Sequence, residues 1–114
     1  MALQAEMRSF NHIARLVRDR RLAHSKKYSQ SELSTVLGYK NGQFISNVER
    51  GLCSIPLKML GKLSEILEIA PLELKQVLLR DFEETLENYL KQGSGEVLSK
   101  RKQREQQSNL SRVA

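Results

Sequence analysis

The chain has 114 residues, of which 39% are hydrophobic and 28% charged, so it is long enough for one globular domain with a modest core. Cys53 is the single cysteine, which excludes an intrachain disulfide, and with only two histidines beside it we expect no metal site and no cofactor. The chain starts without an apolar signal core and has no apolar run of transmembrane length, so we expect no membrane partner and a cytoplasmic location.

The net charge of +6 is unevenly distributed along the chain. Residues 1–52 carry nine Lys or Arg against four Asp or Glu, residues 53–92 carry five against seven, and residues 93–114 carry five against two. A basic half suggests a phosphate-bearing partner, although many solvated surfaces are equally basic. Long runs of alternating β-branched residues are missing, which favours an all-α fold.

The first predicted helix spans about residues 10–22 and follows a flexible start over residues 1–9. Its apolar side chains recur at three- and four-residue spacing, and arginines occupy the positions between them. We therefore expect an amphipathic helix with a cationic outer face. Asn11 is the candidate N-cap. A polar and basic loop over residues 23–28 follows the helix.

The second predicted helix has clear signals at both ends. Ser29 and Glu32 have the spacing of a capping box, and Gly38 can adopt the left-handed conformation that ends a helix. Its predicted apolar face consists of Leu33, Val36 and Leu37.

A third short helix is predicted from about residue 41 or 42 to Arg50, with Gly51 ending it. Ile45 and Val48 are expected to point inward. At 100° per residue, the opposite face of this helix holds Gln43, Asn47 and Arg50. Two short helices joined by a tight connection are typical of a helix-turn-helix, whose second helix enters the DNA major groove.

Two further helices are predicted to begin at Pro56 and Pro71, because proline favours the first turn of a helix. The fourth helix has an apolar stripe of Leu57, Leu60, Leu63 and Leu67. The fifth has a longer stripe, of Leu74, Val77, Leu78, Phe82, Leu86, Tyr89 and Leu90. A hinge is expected at Gln92-Gly93-Ser94-Gly95, and residues 93–114 are expected to be a flexible, basic tail that is at most transiently helical around Glu96–Gln107. Residues 10–80 are then the domain, and residues 81–92 are an extension of its fifth helix.

The outer face of the third helix carries the chemistry of base recognition. Gln43 and Asn47 have carboxamides that can bond bidentately to adenine, and Phe44 can touch a thymine methyl. The alternative is that these are ordinary solvated polar residues. Gln30, at the first turn of the second helix, is a candidate phosphate contact. The other candidate phosphate contacts are Lys26, Lys27, Lys40, Ser46 and Arg50.

The pattern Ser29-Gln30-Ser31-Glu32-Leu33, followed by Gly38 and by residues 44–51, FISNVERG, resembles the Cro/CI-type, lambda repressor-like helix-turn-helix family. The resemblance covers roughly residues 10–80 and implies a five-helix DNA-binding domain of bacterial or phage origin, associated with the nucleoid when bound.

The resemblance also implies roles for individual residues. It implies a phosphate contact for Gln30, base contacts for Asn41 to Phe44 and for Asn47, a structural role for Glu49 and a backbone contact for Arg50. The loop at 23–28 is longer than usual for the family, and residues 38–44 carry one extra residue. The base contacts near Asn41 and Gln43 are therefore open to a shift by one position.

The apolar stripe of the fifth helix extends beyond the length that the domain needs. We expect a homodimer interface formed by Val77, Leu78, Phe82, Leu86, Tyr89 and Leu90. The alternative is that the helix folds back onto its own domain. The tail could add non-specific DNA affinity through its basic residues, or it could simply be solvated.

The sequence thus predicts a sequence-specific double-stranded DNA-binding regulator, a repressor that binds a palindromic operator as a dimer. The alternatives are an antitoxin that binds a toxin through the C-terminal helix or tail, and a protein-interaction adaptor that keeps the fold. No nucleophile–base pair is visible, so we expect no catalytic residues and no enzyme activity.

Overall fold

The computed structural model describes residues 7–108, with side chains described for residues 7–91. This part of the chain contains helices and no strand, which confirms the all-α prediction. The helices are α1 (Asn11–Ala23), α2 (Gln30–Val36), α3 (Gln43–Glu49), a 3-10 turn (Leu57–Met59), α4 (Leu60–Leu67) and α5 (Pro71–Ser108). Within the same residues, no helix is both long and apolar enough to cross a membrane.

One hydrophobic core joins the five helices. Its buried members are Ile13, Leu16, Val17, Leu33, Leu37, Ile45, Val48, Ile55, Leu63, Leu67, Ile69 and Leu74. Removing a side chain of this size from water stabilises the fold by about 1.5–3 kcal/mol. α3 is too short to be stable by itself, so its position depends on this packing.

The predicted ends of α2 and α3 are confirmed. The Ser29 hydroxyl accepts the backbone N–H of Glu32 at 2.9 Å, and the Glu32 carboxylate accepts the backbone N–H of Ser29 at 2.8 Å, which completes the capping box. Gly38 and Gly51 follow the two helices with φ of +100° and +76°. Both ends have the hydrogen-bond pattern of a Schellman motif, in which a left-handed glycine costs least.

The start of α1 differs from the prediction. Phe10 is the N-cap residue and Asn11 is already helical, so Asn11 does not cap the helix. A residue distant in sequence supplies the cap: the Asp81 carboxylate of α5 accepts the backbone N–H of His12 at 2.8 Å and that of Ile13 at 3.0 Å. A carboxylate at this end also interacts favourably with the helix dipole.

Two predicted core residues lie at the surface instead. Leu57 is 81% exposed, because Pro56 leads into a 3-10 turn that places Leu57 out of phase with the stripe of α4. Val36 is 41% exposed, and the buried neighbour of Leu33 on α2 is Ser34. The apolar periodicity predicted that Val36 is buried, whereas the structure buries Ser34 of the same helix.

α5 continues as a helix through Gly93-Ser94-Gly95 to Ser108, where the sequence predicted a hinge and a tail. Each glycine costs a helix roughly 0.5–1 kcal/mol relative to alanine. The following segment, residues 96–106, is rich in Glu, Leu, Lys, Arg and Gln, which are good helix formers and favour continuation. Residues 109–114 of the predicted tail (93–114) and residues 1–6 of the predicted flexible start (1–9) lie outside the described residues.

Candidate nucleic-acid interface

α3 is held from its inner side by two kinds of contact. Ile45 and Val48 have no exposed surface in the core. The hydroxyl of Ser34, also fully buried on α2, accepts the backbone N–H of Ile45 at 3.2 Å. Because this N–H belongs to the first turn of α3, it has no partner within its own helix. Ser34 thus fixes α3 against α2, and its position between Leu33 and Leu37 was the only sequence signal for that role.

Three of the four predicted base contacts form one hydrogen-bonded row, which begins just before α3 and continues along its outer face. The Asn41 side chain accepts the backbone N–H of Gln43 at 2.9 Å. The Gln43 carboxamide donates to Oδ1 of Asn47, also at 2.9 Å. Asn41 and Gln43 are exposed and Asn47 is half-buried. The row therefore presents amide groups to solvent at the start of the helix.

Phe44, the fourth predicted base contact, lies at the side of this row. Its ring stacks on that of Tyr39, with centroids 4.0 Å apart and planes inclined by 16°, and both rings pack against the core. Offset or near-parallel aromatic pairs of this kind stabilise a fold by about 0.5–1.5 kcal/mol beyond their burial. Much of the Phe44 ring is thus used in packing, which the sequence did not indicate.

A buried polar network connects α1, α2 and α3. Arg21 of α1 donates to both carboxylate oxygens of Glu49, and Gln30 of α2 donates to Glu49 Oε1 at 2.8 Å. The hydrogen bond to Glu49 raises the pKa of Arg21, although burial opposes the shift. These contacts agree with a structural role for Glu49. They also hold the Gln30 side chain in one direction, and this connection was not visible in the sequence.

A groove of about 660 Å³ separates the start of α2 from the start of α3. It is lined by Arg21, Ser29, Gln30, Ser31, Asn41, Gly42, Gln43 and Ser46. At Gly42 the two helices approach closely: a Cβ atom on it would lie 3.0 Å from Cα of Ser31 and 3.1 Å from its backbone nitrogen. Predicted base contacts and the predicted phosphate contacts Gln30 and Ser46 therefore meet in one groove.

The basic residues predicted to contact phosphates are all exposed. They are Lys26, Lys27, Lys40 and Arg50. None of the four forms an ion pair with another side chain within residues 7–91, although oppositely charged groups are present on the surface. Their charge is thus available to an external anion. Lys27 has a left-handed φ of 48° in the loop before α2.

The predicted dimer stripe on α5 is divided between two environments. Val77 and Leu78 are half-buried and pack against the domain core. The remaining members, Phe82, Leu86, Tyr89 and Leu90, are 41–67% exposed. α5 does fold back onto its own domain, as the alternative prediction proposed, but beyond Leu78 it does so with a polar face.

The polar face of α5 contacts the start of α1 and the residues just before it. Glu84 accepts the Ser9 hydroxyl at 2.8 Å and contacts Nε2 of His12 at 2.7 Å, while Thr85 accepts the backbone N–H of Ser9 at 2.7 Å. The hydrogen bonds from His12 and Ser9 lower the pKa of Glu84. Burial raises the pKa of Asp81, against the opposing effect of the two backbone N–H groups that it accepts.

His12, Asp81 and Glu84 are also the one group of potential metal ligands that this part of the chain brings together, with ligand atoms within 4.8 Å of one another. Both Asp81 oxygens already accept backbone N–H groups of α1, and Glu84 accepts from Ser9 and contacts His12. All three side chains are therefore already engaged in contacts within the protein. Cys53 is half-buried, and burial raises the pKa of its thiol.

In comparisons with known proteins, no family model, no curated protein and no solved structure matches this chain.

Proposed function

We propose that this protein is a sequence-specific regulator that binds double-stranded DNA through α3. The observation that carries the proposal is the division of α3 into two faces. Ile45 and Val48 are fully buried, and the opposite side presents the row Asn41, Gln43 and Asn47. An amide-bearing face on a short, rigidly held helix suits the major groove, which is about 12 Å wide and displays hydrogen-bonding base edges.

The groove beside α3 supports phosphate contacts on the flank of the same surface. Gln30 uses one side-chain N–H for Glu49 and retains a second N–H for an external acceptor. Ser46 lines the groove, and the four exposed basic residues at 26, 27, 40 and 50 lie before, between and after α2 and α3 in sequence. Such contacts give affinity and orientation, and the base-facing amides give sequence preference.

The protein would regulate transcription by occupying its DNA site, without catalysing a reaction. A small domain bound over a promoter excludes other proteins from it, so repression is the simplest outcome and the bacterial nucleoid is the expected place. The exposed row on α3 favours this function over that of an adaptor, because carboxamides match the hydrogen-bonding edges of bases.

We also propose that the protein binds as a homodimer through the exposed part of α5. Phe82, Leu86, Tyr89 and Leu90 form an apolar surface on a helix that is otherwise polar at this point. A second copy would cover it and place two α3 helices on one side of the DNA. Half-sites would then lie about 34 Å apart, in a palindrome. A different protein on this surface, as in an antitoxin, is the competing partner.

Selection of bound sequences from a random DNA pool tests the proposal. The protein should enrich one short motif, repeated in inverted orientation if the dimer is correct. The affinity for that motif should fall with salt at a slope of about −0.9 per phosphate contacted on log–log axes. Equal affinity for all sequences would contradict specific recognition.

Two glutamine variants supply a matched comparison. Gln43→Ala should lower the preference for the selected motif, because it removes a base-facing amide. Gln76→Ala removes an exposed amide from α5, outside α2 and α3, and it should leave DNA binding unchanged. A loss of preference in both variants, or in neither, would contradict the assignment of α3 as the reading helix.

A further inference from the structure

We propose that the cleft between α4 and α5 binds a small molecule with an apolar body and a carboxylate, and that this ligand competes with a second copy of the chain. The cleft lies outside α2 and α3, so ligand binding itself does not depend on DNA recognition. The competition rests on the proposed function, because it concerns the proposed dimer face of α5.

The cleft has the size and the walls of a small-molecule site. Its volume is about 410 Å³, and its apolar lining residues are Leu60 of α4 and, from α5, Pro71, Leu74, Leu78, Leu79 and Phe82. Sites for small molecules have volumes of about 300–1,000 Å³ and mostly apolar walls with a few polar groups that orient the ligand. An apolar body of small-molecule size therefore suits this cleft.

Gly61 keeps the α4 side of the cleft open. It lies within α4 and lines the cleft, although glycine is less favourable than alanine inside a helix. A Cβ atom on Gly61 would have no atom within 4 Å, so the packing of α4 does not require a glycine here. The missing side chain instead leaves the α4 backbone accessible from the cleft, which is a known use of glycine where a ligand approaches closely.

Lys75 is the charged residue among those that line the cleft, and it has no acidic neighbour on its own helix. The residues three and four positions from it are all uncharged: Pro71, Leu72, Leu78 and Leu79. Arg80, by contrast, has Glu83 and Glu84 at these spacings, where helical side chains can pair. Lys75 also forms no ion pair within residues 7–91. Its charge is thus available to an anionic ligand.

Ser64 is the other polar side chain of the cleft. Its hydroxyl donates to the backbone carbonyl of Ile69 at 2.7 Å, so its proton is already used. Lys75 therefore supplies the hydrogen-bond donors of the cleft. An ammonium has three donors and no acceptor, and its hydrogen bonds are strongest to a charged oxygen. A carboxylate at one end of the apolar body matches this arrangement.

Phe82 connects the cleft to the proposed dimer face. Its side chain lines the cleft and is 59% exposed, and Leu79 in the same wall is 56% exposed. A ligand in the cleft covers apolar surface of Phe82 that a second copy would bury. Two molecules that need the same surface weaken each other's binding by the same factor. The ligand should therefore favour the single chain and lower the affinity for a palindromic DNA site.

The test is an NMR titration of the full chain with octanoate and, separately, with octanol, which has the same chain length and no charge. Both probes should shift the amide signals of α4 and α5 around the cleft. Lys75→Met keeps an unbranched side chain without the charge, so it should weaken octanoate about two- to fivefold, as for an exposed ion pair, and leave octanol unchanged. Lys62→Met removes an exposed lysine of α4 outside the cleft and should change neither affinity.

Gly61→Leu extends a side chain into the cleft and should abolish binding of both probes, with thermal unfolding as the check that the variant is folded. Octanoate shifts that persist in Gly61→Leu would place the site elsewhere. Equal effects of Lys75→Met on the two probes would refute the carboxylate. If neither probe binds, the site is refuted, and a Gly61→Leu protein with the single chain mass would then show that a second copy occupies the cleft.

Light scattering tests the competition separately. Saturating octanoate should lower the mass of the unmodified protein from that of two chains to that of one. A bound probe that leaves a dimer intact would refute the competition and keep the site. All of these results leave DNA recognition by α3 untouched, whereas a protein that selects no DNA motif would refute the proposed function and leave the ligand site standing.

Discussion

Arg21 of α1 and Glu49 of α3 form a two-pronged ion pair inside the domain, with Nε to Oε2 at 2.6 Å and Nη2 to Oε1 at 3.0 Å. Their side chains are only 11% and 4% exposed. Arg21 also donates to the backbone carbonyl of Tyr28, and Glu49 accepts from Gln30. The pair therefore ties α3 to α1, to the loop before α2 and to the first turn of α2.

Removing one partner of this pair should destabilise the domain strongly. Glu49→Ala leaves the Arg21 guanidinium buried without a counter-charge, which typically costs about 3–5 kcal/mol. Urea unfolding monitored by circular dichroism measures the loss. Glu73→Ala is the matched control, because its pair with Arg20 is exposed by 33% and 40% and should cost under about 1 kcal/mol. Similar losses in the two variants would mean that burial of the Arg21 pair contributes little.

Gly42 should be intolerant of a side chain. A Cβ atom there would lie 3.0 Å from backbone Cα of Ser31, so Gly42→Ala requires α3 to move away from α2. We expect a loss of about 1–3 kcal/mol in unfolding free energy, as for other overpacked sites, and a larger loss of DNA affinity than stability alone explains.

Gly61→Ala provides the control for that substitution. Gly61 lies within α4 and has no atom within 4 Å of a built Cβ, so alanine should stabilise the protein by about 0.5–1 kcal/mol through its helix propensity. Thermal unfolding tests both variants: the melting temperature should fall for Gly42→Ala and rise for Gly61→Ala. A melting temperature for Gly42→Ala at or above that of the unmodified protein would contradict the close approach.

The contact between Glu84 and His12 predicts a pH dependence of stability. Hydrogen bonds from His12 and Ser9 hold the pKa of Glu84 below its ordinary value of 4.5, so the folded chain releases this proton more readily than the unfolded chain. The resulting stabilisation is complete above about pH 4.5. It is lost as pH falls through the lowered pKa.

Glu84→Gln removes the titrating carboxyl group, so the variant measures how much this group contributes to the pH dependence of stability. The variant should be less stable than the unmodified protein above pH 4.5, and the difference should shrink as the solution becomes more acidic. Because the Glu84 side chain is 42% exposed, we expect a difference of under about 1 kcal/mol. Urea unfolding from pH 3 to 6 provides the test. A stability difference between the two proteins that increases as pH falls would contradict the prediction.

Structural features that depend on residues only a few positions apart were predicted from the sequence. Ser29 and Glu32 cap α2, and Gly38 and Gly51 end α2 and α3, because each depends only on its immediate neighbours. The inward direction of Ile45 also followed from helical periodicity. Local geometry of this kind repeats wherever the same short pattern occurs.

Features that depend on residues distant in sequence were not predictable in the same way. Asp81 caps His12 across 69 residues, and it occupies a position that the sequence offers only as one more acidic residue on α5. The bond from Ile45 to Ser34 likewise depends on how α2 and α3 meet. The orientation of Gln43 depends on a side-chain bond to Asn47 that helical spacing permits but does not require.

The exposed face of α5 predicts the oligomeric state of the protein. Phe82 is 59% exposed between Leu86 and Leu79, which are also exposed. If a second copy covers this face, light scattering should give twice the chain mass of 13.1 kDa. Phe82→Glu places a charge in the middle of the apolar contact and should give the single chain mass, since an unpaired buried charge is expensive.

Gln76→Glu adds the same charge to an exposed position of α5 that lies six residues before Phe82, so it should remain dimeric. The two variants should also differ on DNA. Phe82→Glu should bind a single half-site as well as the unmodified protein does but lose the gain in affinity from a palindrome, because two linked sites raise each other's effective concentration. A Phe82→Glu protein that stays dimeric would place the interface elsewhere. An unmodified protein that is monomeric with and without DNA would leave the α5 face to a different protein partner.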